Sequence, residues 1–119
     1  MDERRKAETE ALKEGLVFVI DDDADVLTAL GSLLRAVGCQ VCGRSGVEGF
    51  AETGLPERPC CLLLDIHLRC SSGLDFQRSL TERRVAIPVV LLTGAGTIPM
   101  SVRGMKAGAI DFLSKPLRA

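Results

Sequence analysis

Five short apolar runs, each separated from the next by a helical pattern, constrain this chain more than any other feature. "LVFVI" (16–20) is continuous and β-branched, as expected of a strand buried on both faces, because a half-exposed strand would alternate. "CQVCG" reads as a second, more exposed strand and "CCLLLD" (60–65) as a third, buried one. Pro88 opens a fourth, "PVVLLT", and "IDFLSKP" (110–116) is the last, closed by Pro116. Between them, Val26, Leu30, Leu33, Leu34 and Val37 fall at helical spacing and Gly38 stops the helix. "GVEGFAE" predicts a short, glycine-weakened second helix ending near Gly54 and Pro56. Leu74, Phe76 and Leu80 predict a third helix, and Ile98, Val102 and Met105 a fourth. Strands alternating with helices imply right-handed crossovers and a parallel sheet covered on both faces. The predicted fold class is therefore α/β, a doubly wound five-stranded parallel sheet in the common order 2-1-3-4-5. Such a sheet usually finishes with a fifth helix, and the three residues after Pro116 cannot make one. The expectation is a charged N-terminal extension over residues 1–15 and one domain over 16–119, truncated after strand five and lacking the last helix. Either it is a fragment or something else covers part of the sheet.

Composition excludes several functions. The 119 residues suit one domain, and fifteen basic against sixteen acidic residues give a net charge of −1, so nothing advertises direct nucleic-acid binding. With no Trp, no Tyr and four Phe, there is little to stack on bases or on a flavin ring. No apolar run approaches the roughly 20 residues of a membrane span. The highly charged "MDERRKAETEALKE" is no signal segment, and with the odd number of cysteines this predicts a cytoplasmic chain with reduced thiols. "CQVC" has dithiol spacing. In a strand, however, Cys39 and Cys42 point to opposite faces, and the adjacent Cys60 and Cys61 cannot supply a second zinc pair.

In an open α/β sheet, ligands sit outside the carboxyl ends of the strands. Strand one ends at Asp21 and Asp22, strand three at Asp65, strand four at Thr93 and strand five at Lys115. Singly, each has an ordinary reading: Asp21 to Asp23 could cap the first helix, Thr93 could be a turn residue and Lys115 a solvated lysine. Jointly, four strands deliver them to one edge. Three carboxylates around one point need a cation, and hard oxygen ligands with room for water suit Mg²⁺. A carboxylate can attack a phosphoryl group without a general base. The charge on the transferring oxygens then calls for a metal, a fixed lysine and a hydroxyl.

These pieces, "VIDDD", "LLLDIHL" with "SGLDF", "VVLLTG" and "DFLSKP", resemble the receiver domain of two-component response regulators, from about Leu16 to Pro116. "GTIPMSVRGMKAGAIDFLSKP" is most similar to the FixJ-like class, whose usual C-terminal helix-turn-helix domain is absent from this sequence. The resemblance implies a flavodoxin-like fold in which Asp65 accepts a phosphoryl group from a sensor histidine kinase. It implies Mg²⁺ held by Asp21, Asp22, Asp65 and the backbone carbonyl of His67, with Thr93 and Lys115 on the phosphoryl oxygens. Thr93 and Phe112 would act as the switch, reshaping the fourth-helix and fifth-strand surface to control a downstream output, transcription. By residue type alone, Phe112 suits core packing better. The protein would not be an enzyme beyond slow autodephosphorylation. Family dimers formed on phosphorylation often use the fourth helix, fifth strand and fifth helix, the last of which is missing here.

Two further departures concern the acceptor loop, where Arg69 replaces the usual proline beside Cys70, and Ala95, which replaces a polar residue that influences phosphoryl lifetime. His67, the sole histidine, has no four-helix scaffold to make it a phosphohistidine carrier, so only its backbone carbonyl is assigned a role. Two competing readings are a haloacid-dehalogenase-like phosphatase, whose D-x-D motif Asp21–Asp23 formally contains, and a non-phosphorylated interaction module of receiver fold. A flavin-binding flavodoxin lacks its hydroxyl-rich phosphate loop and aromatic walls here.

Overall fold

A computed structural model describes residues 15–48, 50, 55–68, 72–94, 103–106 and 108–115. Its elements are β1 (Leu16–Ile20), α1 (Ala24–Ala36), β2 (Gln40–Arg44), β3 (Cys60–Asp65), α2 (Gly73–Glu82), β4 (Val89–Thr93) and β5 (Asp111–Ser114), with a helical turn over 103–106. The five strands form one sheet in the order β2-β1-β3-β4-β5, all parallel, as expected. The central strands are the most buried because their residues pack on both faces. Phe18, Ile20, Leu62, Leu64 and Leu91 join Leu74 and Leu80 of α2 on one face. Val17, Val19, Leu63 and Leu92 join Leu30 of α1 on the other. Phe18, Phe50 and Phe76 stack edge-to-face across the first cluster, with centroids 5.0 and 5.8 Å apart.

The cysteines behave as small packing residues. Cys42 and Cys60 lean on the first cluster and Cys39 and Cys61 on the second, so neither pair shares a face. Burial, aided by Cys39 and Cys60, pushes the Cys61 thiol up and keeps it protonated.

Two expectations change. Val37 is 59% exposed rather than on the apolar face of α1, because it is the C-cap, where the helical spacing ends. In "GVEGFAE" the Phe50 N–H donates to the Val47 carbonyl in a turn, and most of the helix expected there lies outside the described residues. β5 is exposed along its whole length, so Phe112, at 39%, is not core packing. The expectations placed on residues 1–14, Arg69, Cys70, Ala95, Ile98, Val102 and Pro116 lie outside the described residues.

All three described helical segments end in the same backbone motif. After α1, Cys39 and Gly38 donate to Leu34 and Arg35. After α2, Val85 and Arg84 donate to Leu80 and Thr81. After 103–106, Ala109 and Gly108 donate to Gly104 and Met105. This pair of bonds needs a left-handed residue, which is Gly38 (φ 97°), Arg84 (φ 57°) and Gly108 (φ 107°) in turn. Arg84 alone carries a Cβ into that region. Arg84→Gly is therefore expected to raise stability by about 0.5–1 kcal/mol, and Gly38→Ala to lower it by about 1 kcal/mol. Urea melts of both variants check this, and a destabilised Arg84→Gly would show that its side chain contributes more than its backbone conformation costs.

Candidate functional site

The register places Ile20 beside Leu64, so the next residues, Asp21 and Asp65, leave adjacent strands side by side. Asp21 is wholly buried, Asp65 nearly so (4% exposed), and Asp22 is half-buried. One carboxylate oxygen from each lies within 4.8 Å of the other two. The acidic run divides its work. Asp21 and Asp22 face the cluster, while Asp23 caps α1, its Oδ1 accepting from the Asp25 N–H at 2.9 Å. Asp21 Oδ1 in turn accepts from the Asp23 N–H at 2.9 Å, and Asp65 Oδ1 from the His67 N–H at 3.1 Å. The capping reading of this run is thus realised by Asp23, which leaves the Asp21 and Asp22 side chains to the cluster. Gly73 lies directly against the end of β3. A Cβ there would overlap the Asp65 carbonyl oxygen, so only glycine lets α2 start so close.

Lys115 supplies the balancing charge. Its backbone N–H donates to the Thr93 carbonyl at 2.7 Å, anchoring the end of β5 to β4. From there its ammonium reaches Asp21 Oδ2 at 2.7 Å and Asp65 Oδ2 at 3.4 Å. Its nearer partner is Asp21, which has no other partner for Oδ2 among the described residues. Thr93 is buried, and its hydroxyl donates to the Leu113 carbonyl at 3.5 Å, across to β5. Phe112 lies on β5 level with Leu91. The His67 side chain is exposed.

Burial pushes the Asp65 carboxyl above its ordinary 3.8. The His67 N–H opposes this, the Asp21 charge adds to it and Lys115 subtracts from it. Burial alone would lower the Lys115 ammonium, but Asp21 and Asp65 more than reverse that and hold it above 10.5. Three carboxylates against one ammonium leave an excess of two negative charges on hard oxygens, a donor set that fits a divalent cation such as Mg²⁺.

Comparison with known proteins decides the family. Residues 17–119 match the response regulator receiver domain. The chain belongs to that family. Nodulation protein W of Bradyrhizobium diazoefficiens is 43% identical over 92% of this chain and 48% of its own length. Transcriptional regulatory protein FixJ of Azorhizobium caulinodans is 37% identical over 84% of this chain and 47% of its own. The receiver domain thus spans about half the length of these curated relatives. Against the crystal structure of FixJ-N it superposes with a TM-score of 0.78 at 33% identity, covering 87% of this chain and 82% of that one. The resemblance to the FixJ-like class holds. Receiver domains are signalling phosphoacceptors that hold Mg²⁺ through acidic residues, and this chain carries such a cluster. Among the described residues, no helix is long and apolar enough to cross a membrane.

Two stability predictions follow from the charges. Lys115→Ala strips the cluster of its one ammonium among the described residues and should cost about 1–3 kcal/mol, less than for a fully buried pair because the lysine is 24% exposed. Millimolar Mg²⁺ should recover part of it in urea melts; an undiminished melt without Mg²⁺ would show that the carboxylates need no counter-ion. For Asp65, the folded state holds its proton more tightly than the unfolded chain. This group therefore favours folding at low pH and loses that contribution as pH rises from 3.8 through its raised value. Asp65→Asn should consequently be more stable than the parent at neutral pH, with the gap closing on acidification. A pH-independent gap would refute the linkage.

Proposed function

We propose that this receiver domain is a phosphorylation-dependent switch in which Asp65 takes a phosphoryl group from the phosphohistidine of a sensor kinase. The observation that carries this reading is the buried Asp65 carboxylate set between Asp21, Asp22 and the Lys115 ammonium. A carboxylate oxygen of Asp65 attacks phosphorus, the phosphorus–nitrogen bond breaks, and its electron pair returns to the imidazole nitrogen. The attack needs no base. Burial, which raises the Asp65 pKa, also makes the ionised carboxylate less solvated and a better nucleophile. Mg²⁺, when bound, supplies charge neutralisation for the transferring phosphoryl oxygens.

Asp21, Asp22 and Asp65, with the His67 carbonyl, would hold that ion. The Lys115 ammonium, which now touches Asp21 at 2.7 Å and Asp65 at 3.4 Å, would pair with a phosphoryl oxygen beside Asp65. Thr93 would leave the Leu113 carbonyl and donate to a second oxygen. Because Thr93 and Lys115 are bonded to each other and to β5, both moves act on the strand that carries Phe112. The exposed Phe112, Leu113, Ile110 and Met105 would form the surface that changes for an output domain or partner, and on which copies could pair. Control of transcription is the output suggested by relatives named as transcriptional regulators.

The test is intact-protein mass after incubation with acetyl phosphate, with Mg²⁺ or with chelator. One base-labile phosphoryl adduct is expected, lost with chelator and in Asp65→Asn. A folded chain that takes no adduct would leave a receiver-fold interaction module instead. An adduct retained by Asp65→Asn would move the acceptor elsewhere.

A further inference from the structure

Among the described residues, Gln77 is the buried polar residue that the phosphoryl chemistry does not use. It lies on α2 between Leu74 and Leu80, is 3% exposed, and its Nε2 donates to the Gly104 carbonyl at 3.2 Å. That carbonyl already accepts the Ala109 N–H at 3.1 Å in the motif that ends the 103–106 turn. The next residue, Ile110, donates to Val89 and starts the β5 pairing. Gly104 sits so near Leu91 and Leu74 that a Cβ would overlap the Leu91 side chain, so only glycine lets the turn pack this close to the sheet. One oxygen therefore fixes where β5 begins, and a side chain of α2 holds that oxygen.

The other end of β5 is fixed by Thr93, through its hydroxyl to Leu113 and its carbonyl to the Lys115 N–H. A four-residue strand held at both ends cannot move at one end alone. The Gln77 Oε1 is buried and has no hydrogen-bond partner among the described residues, a costly state for an amide oxygen. The resting arrangement thus satisfies only half of this side chain, so the Nε2 bond to Gly104 is its one polar tie to the turn among the described residues.

We propose that Gln77 is a positioning residue, a latch that holds the start of β5 at the Gly104 carbonyl and is released when Asp65 carries a phosphoryl group. The inference rests on the switch reading above. Its sequence signal is a glutamine at i+3 from Leu74 and i−3 from Leu80, on the stripe that faces the core.

Amide hydrogen exchange of the full chain tests it, with beryllofluoride as the phosphoryl mimic and Gln77→Met as the variant of matching length without either polar atom. In the parent, beryllofluoride should speed exchange at Ala109 and Ile110 by about fivefold or more, the worth of one hydrogen bond. The amides of Leu62 and Gln40 should stay unchanged. Gln77→Met should show the same local acceleration without beryllofluoride and little more with it. Uniform acceleration across the core, or none, would reduce Gln77 to packing and overturn the latch. Were Gln77→Met unable to fold, the parent's response to beryllofluoride alone would decide. Bound beryllofluoride with unchanged exchange at Ala109 overturns the latch while leaving the Asp65 reading intact. Beryllofluoride that gives no protein-bound ¹⁹F resonance overturns the Asp65 reading and the coupling with it.

Discussion

The ammonium of Lys115 between Asp21 and Asp65 is the contact on which the rest of the molecule depends. Two carboxylates at the ends of adjacent buried strands repel each other in a poorly solvated place, and nothing on β1 or β3 can offset that. The compensating charge must come from elsewhere in the sheet, and it comes from the far edge, across β4. A long, flexible side chain suits this task. It spans the gap left by an intervening strand and can give up one oxygen for another without moving its backbone.

That arrangement explains why the weakest strand is also an important one. β5 is an exposed edge with four paired residues, yet it delivers Lys115 and receives the Thr93 hydroxyl. Its position is set from outside the sheet as well as within it, by Thr93 at one end and by the Gly104 carbonyl at the other. Stability is concentrated in β1, β3 and β4, while the responsive parts sit where packing is thin, as expected when one region must be rigid and its neighbour adjustable.

Much of this was legible in the residues. β1, β3 and β4 announce themselves because strands buried on both faces must be continuous apolar runs, and their polar last residues stand out against that background. Strand order and the gathering of Asp21, Asp22, Asp65, Thr93 and Lys115 at one edge follow from topology rules. What stayed hidden depends on side-chain reach and local caps. Periodicity places Val37 on the apolar face but cannot say that the helix has already ended. Spacing brings Lys115 to the edge but not to Asp21 in preference to Asp65. Apolar pattern-reading passes over Gln77, because a polar residue on a buried stripe looks like an interruption until its partner on a distant turn is seen.

The shared form of the helix endings has an electrostatic counterpart at the opposite edge. A parallel sheet with its helices all running back against the strands gathers their carboxyl ends, and the negative poles of their dipoles, on the side away from the acids. α1 starts directly after Asp21–Asp23, and α2 starts at Gly73, whose N–H donates to the Ile66 carbonyl next to Asp65. Each of these starting ends carries a partial positive charge, worth about 0.3–1 kcal/mol to a nearby anion. The backbone thus tempers the acidic rim and makes the same rim less hostile to an arriving anion than its carboxylates alone would suggest.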